Sequence, residues 1–168
     1  MITVGSSAGG YAAILYGSWL GAERIFSFNA QFELNSLLEY NAAEKNPILY
    51  RNQNQSDIRK YYDIVPMISS PTVYYFMSEN CQWDSKQLRH LGDNPNVCII
   101  RFKSSHHGVP FPRVALNRIM VASDETLNAL NGKSFNPILF SVKFAGVRKT
   151  LFEILKQTIK IIKKRIRK

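Results

Sequence analysis

This sequence predicts an α/β fold built on a parallel sheet, and two observations carry the prediction. Short runs rich in apolar, β-branched and aromatic residues alternate along the chain with segments suited to helices, the order that a parallel sheet with crossover helices requires. The runs are apolar almost without interruption, as strands are when both faces of their sheet are covered.

The elements follow in order. Ile2-Thr3-Val4 is a buried strand ending at Gly5, and residues 8–20, AGGYAAILYGSWL, form a helix whose Ala8, Gly9, Ala12 and Ala13 let it lie close to a sheet. Arg24 to Phe28 is a second strand. Residues 33–66 are mixed and polar, with short helical patterns such as SLLEY and DIRKYYDI, and read as an inserted cap. Pro71 precedes a third strand, 72–77, and a short helix follows around Ser85–Leu91 until Gly92 and Pro95 break it. A fourth strand spans 97–102, and one helix is expected over 112–131, ended by Asn131-Gly132-Lys133. The expected sheet therefore has about four parallel strands, in a body of residues 1–149 followed by a separate segment, 150–168.

The chain has 168 residues and a net charge of +10, but the charge is concentrated. Residues 143–168 hold ten Lys and Arg (Lys143, Arg148, Lys149, Lys156, Lys160, Lys163, Lys164, Arg165, Arg167, Lys168) against one acid, Glu153. The rest is nearly neutral, which argues against a body that binds nucleic acid specifically. No stretch of about 18 apolar residues lacks charge, so no transmembrane helix is expected. No signal peptide is visible. Cys81 and Cys98 fit neither a disulfide framework nor a zinc site, and a reducing cytoplasm is the default compartment. No metal or organic cofactor is implied.

Gly5-Ser6-Ser7-Ala8-Gly9 fits G-x-S-x-G and lies between a predicted strand and a predicted helix, where the pattern has mechanical meaning. A strand-to-helix elbow this tight demands small residues two before and two after the serine, places held by Gly5 and Gly9. It lifts the Ser7 hydroxyl off the sheet and sets it at a helix N-terminus, which favours negative charge. The Ala8 N–H is then one oxyanion donor.

A serine hydroxyl needs a general base. His106 and His107 follow the fourth strand, and in a parallel sheet that loop shares a rim with the Ser7 elbow. His107, followed by Gly108, is the choice, with His106 the alternative; His90, beside Arg89 in a helix, is read as solvated. The acid that orients the base is expected after the third strand, in SENCQWDSK, which offers Glu79 and Asp84. Loop length favours Asp84, whose competing role is to cap the helix that follows.

The segments GSSAGGYAAILYGSWLGAERIFSFNAQFEL, PTVYYFMSENCQWD and VCIIRFKSSHHGVPFP together resemble the nucleophile, acid and histidine segments of the α/β-hydrolase superfamily over residues 2–113. The likeness is greatest to bacterial members found among surface-polysaccharide genes. It implies esterase, lipase-like or acyl-transfer activity on a small-molecule, glycan or acyl ester, thioester or amide. The family's sheet carries strands ahead of the nucleophile strand, which here comes first, so the resemblance is to a truncated, C-terminal half of the fold. The absent part includes the loop that gives the family its second oxyanion N–H, and loss of one such donor costs about 10²–10³ in rate. Met1 is then an internal methionine of a longer protein, or the chain a fragment. The first strand exposes an edge open to self-association or to the missing half.

Leu151, Leu155, Ile159, Ile162 and Ile166 recur at helical spacing, widened by Phe152 and Ile161 and bordered by Lys156, Lys160, Lys163, Lys164 and Arg167. Two readings of this basic amphipathic helix stand: a peripheral contact with an anionic membrane at its inner face, or a stripe docked on the body. Two functions stand as well: a serine hydrolase or acyltransferase, and an inactive hydrolase-fold module that binds a partner or membrane.

Overall fold

The computed structural model describes residues 1–39, 42–68 and 72–166, and within the last helix the side chains of Ile161, Lys164 and Ile166 lie outside the description. Pro71, Arg167 and Lys168, which figured in the sequence reading, also lie outside the described residues. The chain forms an all-parallel sheet of five strands in sequential order: β1 (Ile2–Ser6), β2 (Arg24–Phe28), β3 (Val73–Ser78), β4 (Val97–Phe102) and β5 (Ser134–Phe135). The expected count of four is thus corrected to five, and β1, expected to be buried, is an edge strand with Ile2 and Val4 exposed. β5 has two residues, paired with Arg101 and Phe102, too few for strand periodicity to register in a sequence.

Residues on successive positions of the central strands enter opposite cores, as the pleat dictates. Ile25, Val73, Tyr75 and Met77 meet Ala13, Ile14 and Leu15 of α1 (Ala8–Trp19), together with Leu91 of a later helix. Phe26, Phe28, Tyr74, Phe76, Cys98, Ile100 and Phe102 face the opposite layer, which contributes Phe111, Ile119, Leu127 and Phe140. Aromatic rings dominate this second core, with Phe28 and Phe76 stacked at 5.0 Å and Phe102 edge-on to Phe140 at 4.8 Å. Each buried Phe contributes about 1.5–3 kcal/mol. Close approach of α1 to the sheet falls on other glycines than expected. A Cβ on Gly10 would lie 2.8 Å from Ala30 Cβ and one on Gly17 2.5 Å from Thr3 Oγ1, whereas one on Gly9 would meet nothing within 4 Å.

Among its described residues the connection from β2 to β3 carries two 3-10 turns, Asn35–Leu38 and Val65–Met67, and three short α-helices, α2 (Ala42–Lys45), α3 (Pro47–Arg51) and α4 (Ser56–Arg59). Its two ends meet where Leu34 N–H donates to Tyr62 O and Ile64 N–H to Phe32 O. Gln87, on α5 (Gln82–Leu91), holds this neck: its Oε1 accepts from Phe32 and Glu33 N–H, and its Nε2 donates to Glu33 Oε1. His90 also serves the excursion, pairing with Asp63 at 3.1 Å, and so is not merely solvated.

The single helix expected over 112–131 is interrupted. A 3-10 turn at Arg113–Ala115 leads into α6 (Leu116–Met120), and α7 (Asp124–Asn128) starts anew after Ser123, whose Oγ accepts from Thr126 N–H. α8 (Pro137–Ala145), unforeseen, follows β5. α9 (Val147–Ile166) begins three residues ahead of the anticipated boundary, with Thr150 buried. Its Leu151, Phe152, Leu155, Ile159 and Ile162 are all at least half exposed. Over its described side chains the stripe is therefore not docked on the body. Among the described residues, no helix is long and apolar enough to cross a membrane.

Candidate active site

The strands all run the same way, so the loops that follow them gather at one rim of the sheet. Ser7 follows β1, Gln31 follows β2, Asp84 follows β3 and His107 follows β4.

The elbow is a backbone device. Ser7 sits at φ 55°, ψ −125°, a conformation that costs a non-glycine residue about 1–3 kcal/mol. It is held there by Ser7 N–H donating to Phe28 O at 2.9 Å, while Ser7 O accepts from Gly10 and Tyr11 N–H. Gly5 is obligatory, since a Cβ there would lie 1.9 Å from Gly9 O. Although Ser7 is the N-cap of α1, its side chain caps nothing, which leaves Oγ for another partner.

That partner is His107. Its Nε2 lies 2.8 Å from Ser7 Oγ and its Nδ1 2.8 Å from Asp84 Oδ1. The consistent proton placement has Ser7 Oγ–H donating to Nε2 and Nδ1–H donating to the carboxylate. Asp84 lies wholly buried in the first turn of α5. The hydrogen bond to Asp84 raises the His107 pKa above its ordinary value, against the opposing effect of burial.

The alternatives point elsewhere. Glu79 Oε2 accepts from Ser134 Oγ on β5, away from the histidine. His106 is exposed, and its carbonyl is its tie to the site, accepting from Asn29 Nδ2 and Ser78 Oγ. Asn29 also accepts from Ser78 N–H and, at φ 45°, joins the ends of β2 and β3 to the histidine loop. Asn29 and Ser78 are fully buried and went unnoticed in the sequence. No local pattern distinguishes them there.

Gln31 also escaped notice. It is 5% exposed, and its Nε2 donates to Ser7 Oγ at 3.3 Å, while its Oε1 has no partner among the described residues. Ala8, the expected oxyanion donor, opens α1 and is exposed. Its N–H belongs to the first turn, where helix amides lack intrahelical partners.

Cys81, Asp84 and His107 offer three ligand atoms within 4.8 Å of one another. Burial pushes the Cys81 thiol pKa up, which works against the thiolate that a metal would need, and Asp84 and His107 already bond each other.

Two cavities adjoin the Ser7–His107 pair. One, about 520 Å³, lies between the elbow and the β2–β3 excursion and is lined by Ser7, Ala8, Tyr11, Gln31 and a mainly apolar set including Leu34, Leu37 and Ile48. The other, about 730 Å³, lies between the histidine loop and α9. No family model, curated protein or solved structure matches this chain.

Proposed function

We propose that this chain is a serine hydrolase or acyltransferase of α/β-hydrolase type, and the observation that carries the reading is the continuous Ser7–His107–Asp84 relay, with both links at 2.8 Å. Ser7 Oγ attacks the carbonyl carbon of an ester, thioester or amide as His107 Nε2 takes its proton. Asp84 holds the imidazole tautomer and stabilises the cation that forms. The oxyanion is met by the Ala8 N–H, with Gln31 Nε2 placed to supply a second donor. Collapse expels the leaving group, which takes the proton from His107. The acyl-enzyme then passes its acyl group to water or to another acceptor activated by the same histidine. A surface-polysaccharide setting rests on the sequence resemblance alone.

The exposed stripe of α9 supports a second property, peripheral attachment to an anionic membrane. Its apolar residues lie at least half exposed on a helix that also carries Lys156, Lys160, Lys163 and Arg165.

The test is labelling by an alkyl fluorophosphonate followed by peptide mapping. Stoichiometric modification of Ser7, abolished by Ser7→Ala and slowed by His107→Ala, is expected. A chain that stays unlabelled while folded overturns the enzyme reading in favour of an inactive binding module.

A further inference from the structure

The two cavities beside the Ser7–His107 pair differ in chemistry. The one reached through Ser7, Ala8 and Gln31 is walled by Leu34, Leu37, Ile48, Leu49 and Ile58, with Lys45 as its one formally charged residue. The one reached through His106 and His107 is lined by Arg113, Lys156 and Lys160 against a single acid, Glu153. Glu153 accepts from Gln157 Nε2 one turn along α9. Among the described residues, Arg113, Lys156 and Lys160 form no ion pair. Three cations around a shared hollow, with one acid between them, repel one another, and an anion placed there relieves the repulsion. Both hollows fall within the roughly 300–1,000 Å³ of small-molecule sites.

We propose that the site takes an amphiphilic anionic substrate: an alkyl or acyl chain in the Leu34–Ile48 cavity, and a phosphate, sulfate or carboxylate in the Arg113–Lys156–Lys160 cavity, with the scissile carbonyl between them at Ser7. This rests on the hydrolase reading for the position of the carbonyl, but not for the binding of the two ends. The inner side of α9 is then part of the substrate site, while its outer stripe stays free.

The experiment is calorimetric titration of the full chain with octyl phosphate, hexyl phosphate and octanol. Octyl phosphate is expected to bind one to one. It should bind roughly tenfold more tightly than hexyl phosphate, since two methylenes are buried, and at least tenfold more tightly than octanol. The pair K156Q/K160Q on α9 and R113Q, on the 113–115 turn, should each weaken octyl phosphate at least fivefold and leave octanol unchanged. Leu155→Glu, on the exposed stripe, should leave octyl phosphate unaffected. Absence of binding, equal binding of phosphate and alcohol, or weakening by Leu155→Glu alone would overturn the proposal; the last would assign binding to the outer stripe. Fluorophosphonate labelling of Ser7 in the same samples reports separately on the hydrolase reading.

Discussion

Replacing Asp84 by Asn probes the relay at its least accessible point. The residue is fully buried and its Oδ1 lies 2.8 Å from His107 Nδ1. Asn keeps the volume but loses the charge that stabilises the imidazolium. Turned the other way, its amide donates to Nδ1, which drives the ring proton to Nε2. A protonated Nε2 cannot accept from Ser7 Oγ. Loss of both charge and tautomer in a Ser–His–Asp relay lowers kcat by about 10⁴, equivalent to roughly 5.5 kcal/mol of transition-state stabilisation. The pH profile moves too. Asp84 raises the His107 pKa, and the base works in its neutral form, so wild-type kcat/KM climbs to its plateau only above that raised value. D84N removes the cause, and its acid limb shifts to lower pH. The same linkage affects stability with the opposite sense. The raised folded pKa stabilises the native state below the unfolded value of about 6.5, and this contribution is lost as pH rises through the folded pKa. The wild-type advantage in Tm over D84N should therefore be larger at pH 5.5 than at pH 8. The assay is turnover of p-nitrophenyl butyrate from pH 5 to 9, with fluorophosphonate labelling and thermal melts alongside. Activity within tenfold of wild type, or an unmoved acid limb, would refute the relay.

Asn29→Ala should destabilise the fold by about 3–4 kcal/mol. It leaves the buried Ser78 N–H and the His106 carbonyl without their amide partner, and puts alanine at φ 45°, as chemical denaturation will measure. Asn29→Gly should recover about 1 kcal/mol of that by removing the backbone penalty alone. Gln31→Leu should lower kcat about 10–10²-fold with little change in KM if its amide meets the oxyanion; a KM effect alone would make Gln31 a binding residue. Full-length chain should co-sediment with anionic vesicles at low salt and release at high salt, each cation near the leaflet adding about 1 kcal/mol. Equal binding by a 1–149 chain would remove that role from α9. Ile2→Lys with Val4→Lys should abolish self-association seen by sedimentation velocity, because β1 is an edge strand with both side chains nearly half exposed; a wild-type monomer would contradict it.

What the sequence disclosed and what it withheld divide along physical lines. β2 and β4 were readable to the residue because each is a short apolar run with a clear break on either side. That Ser7, Asp84 and His107 come together was readable because chain order and sheet direction bring their loops to one rim, whatever the packing details. Gly9 was misjudged, and Gly10 and Gly17 were missed as the close-contact positions, because which glycine touches the sheet depends on the rotation of α1. The break within 112–131 did leave a local sign, Ser123 ahead of Asp124 and Glu125, a capping residue with acids in the first turn. α8 left one too, since Asn136 caps and Pro137 opens the helix. Gln31, Asn29 and Gln87 left none, because a buried amide's function lies in partners tens of residues away.

The placement of these groups also separates the chemistry from the sheet's open edge. Ser7, Asp84 and His107 come from the carboxyl ends of β1, β3 and β4, and the loop between them in space, after β2, supplies Gln31 and Asn29. Each link of the relay is closed by groups within the five described strands and their loops, so pairing on the outer side of β1 is not needed to form it. The proposed oxyanion donors are different: Ala8 and Gln31 both line the apolar cavity at the elbow, walled among the described residues by Ser7, α1 and the excursion. β1 adds no lining residue to that cavity and reaches the other through Ser6. Ile2→Lys with Val4→Lys, which changes only the edge, should then leave both the turnover of an ester and its pH dependence, which reports His107 and Asp84, within about twofold of wild type; a displaced acid limb would tie the β1 edge to the relay.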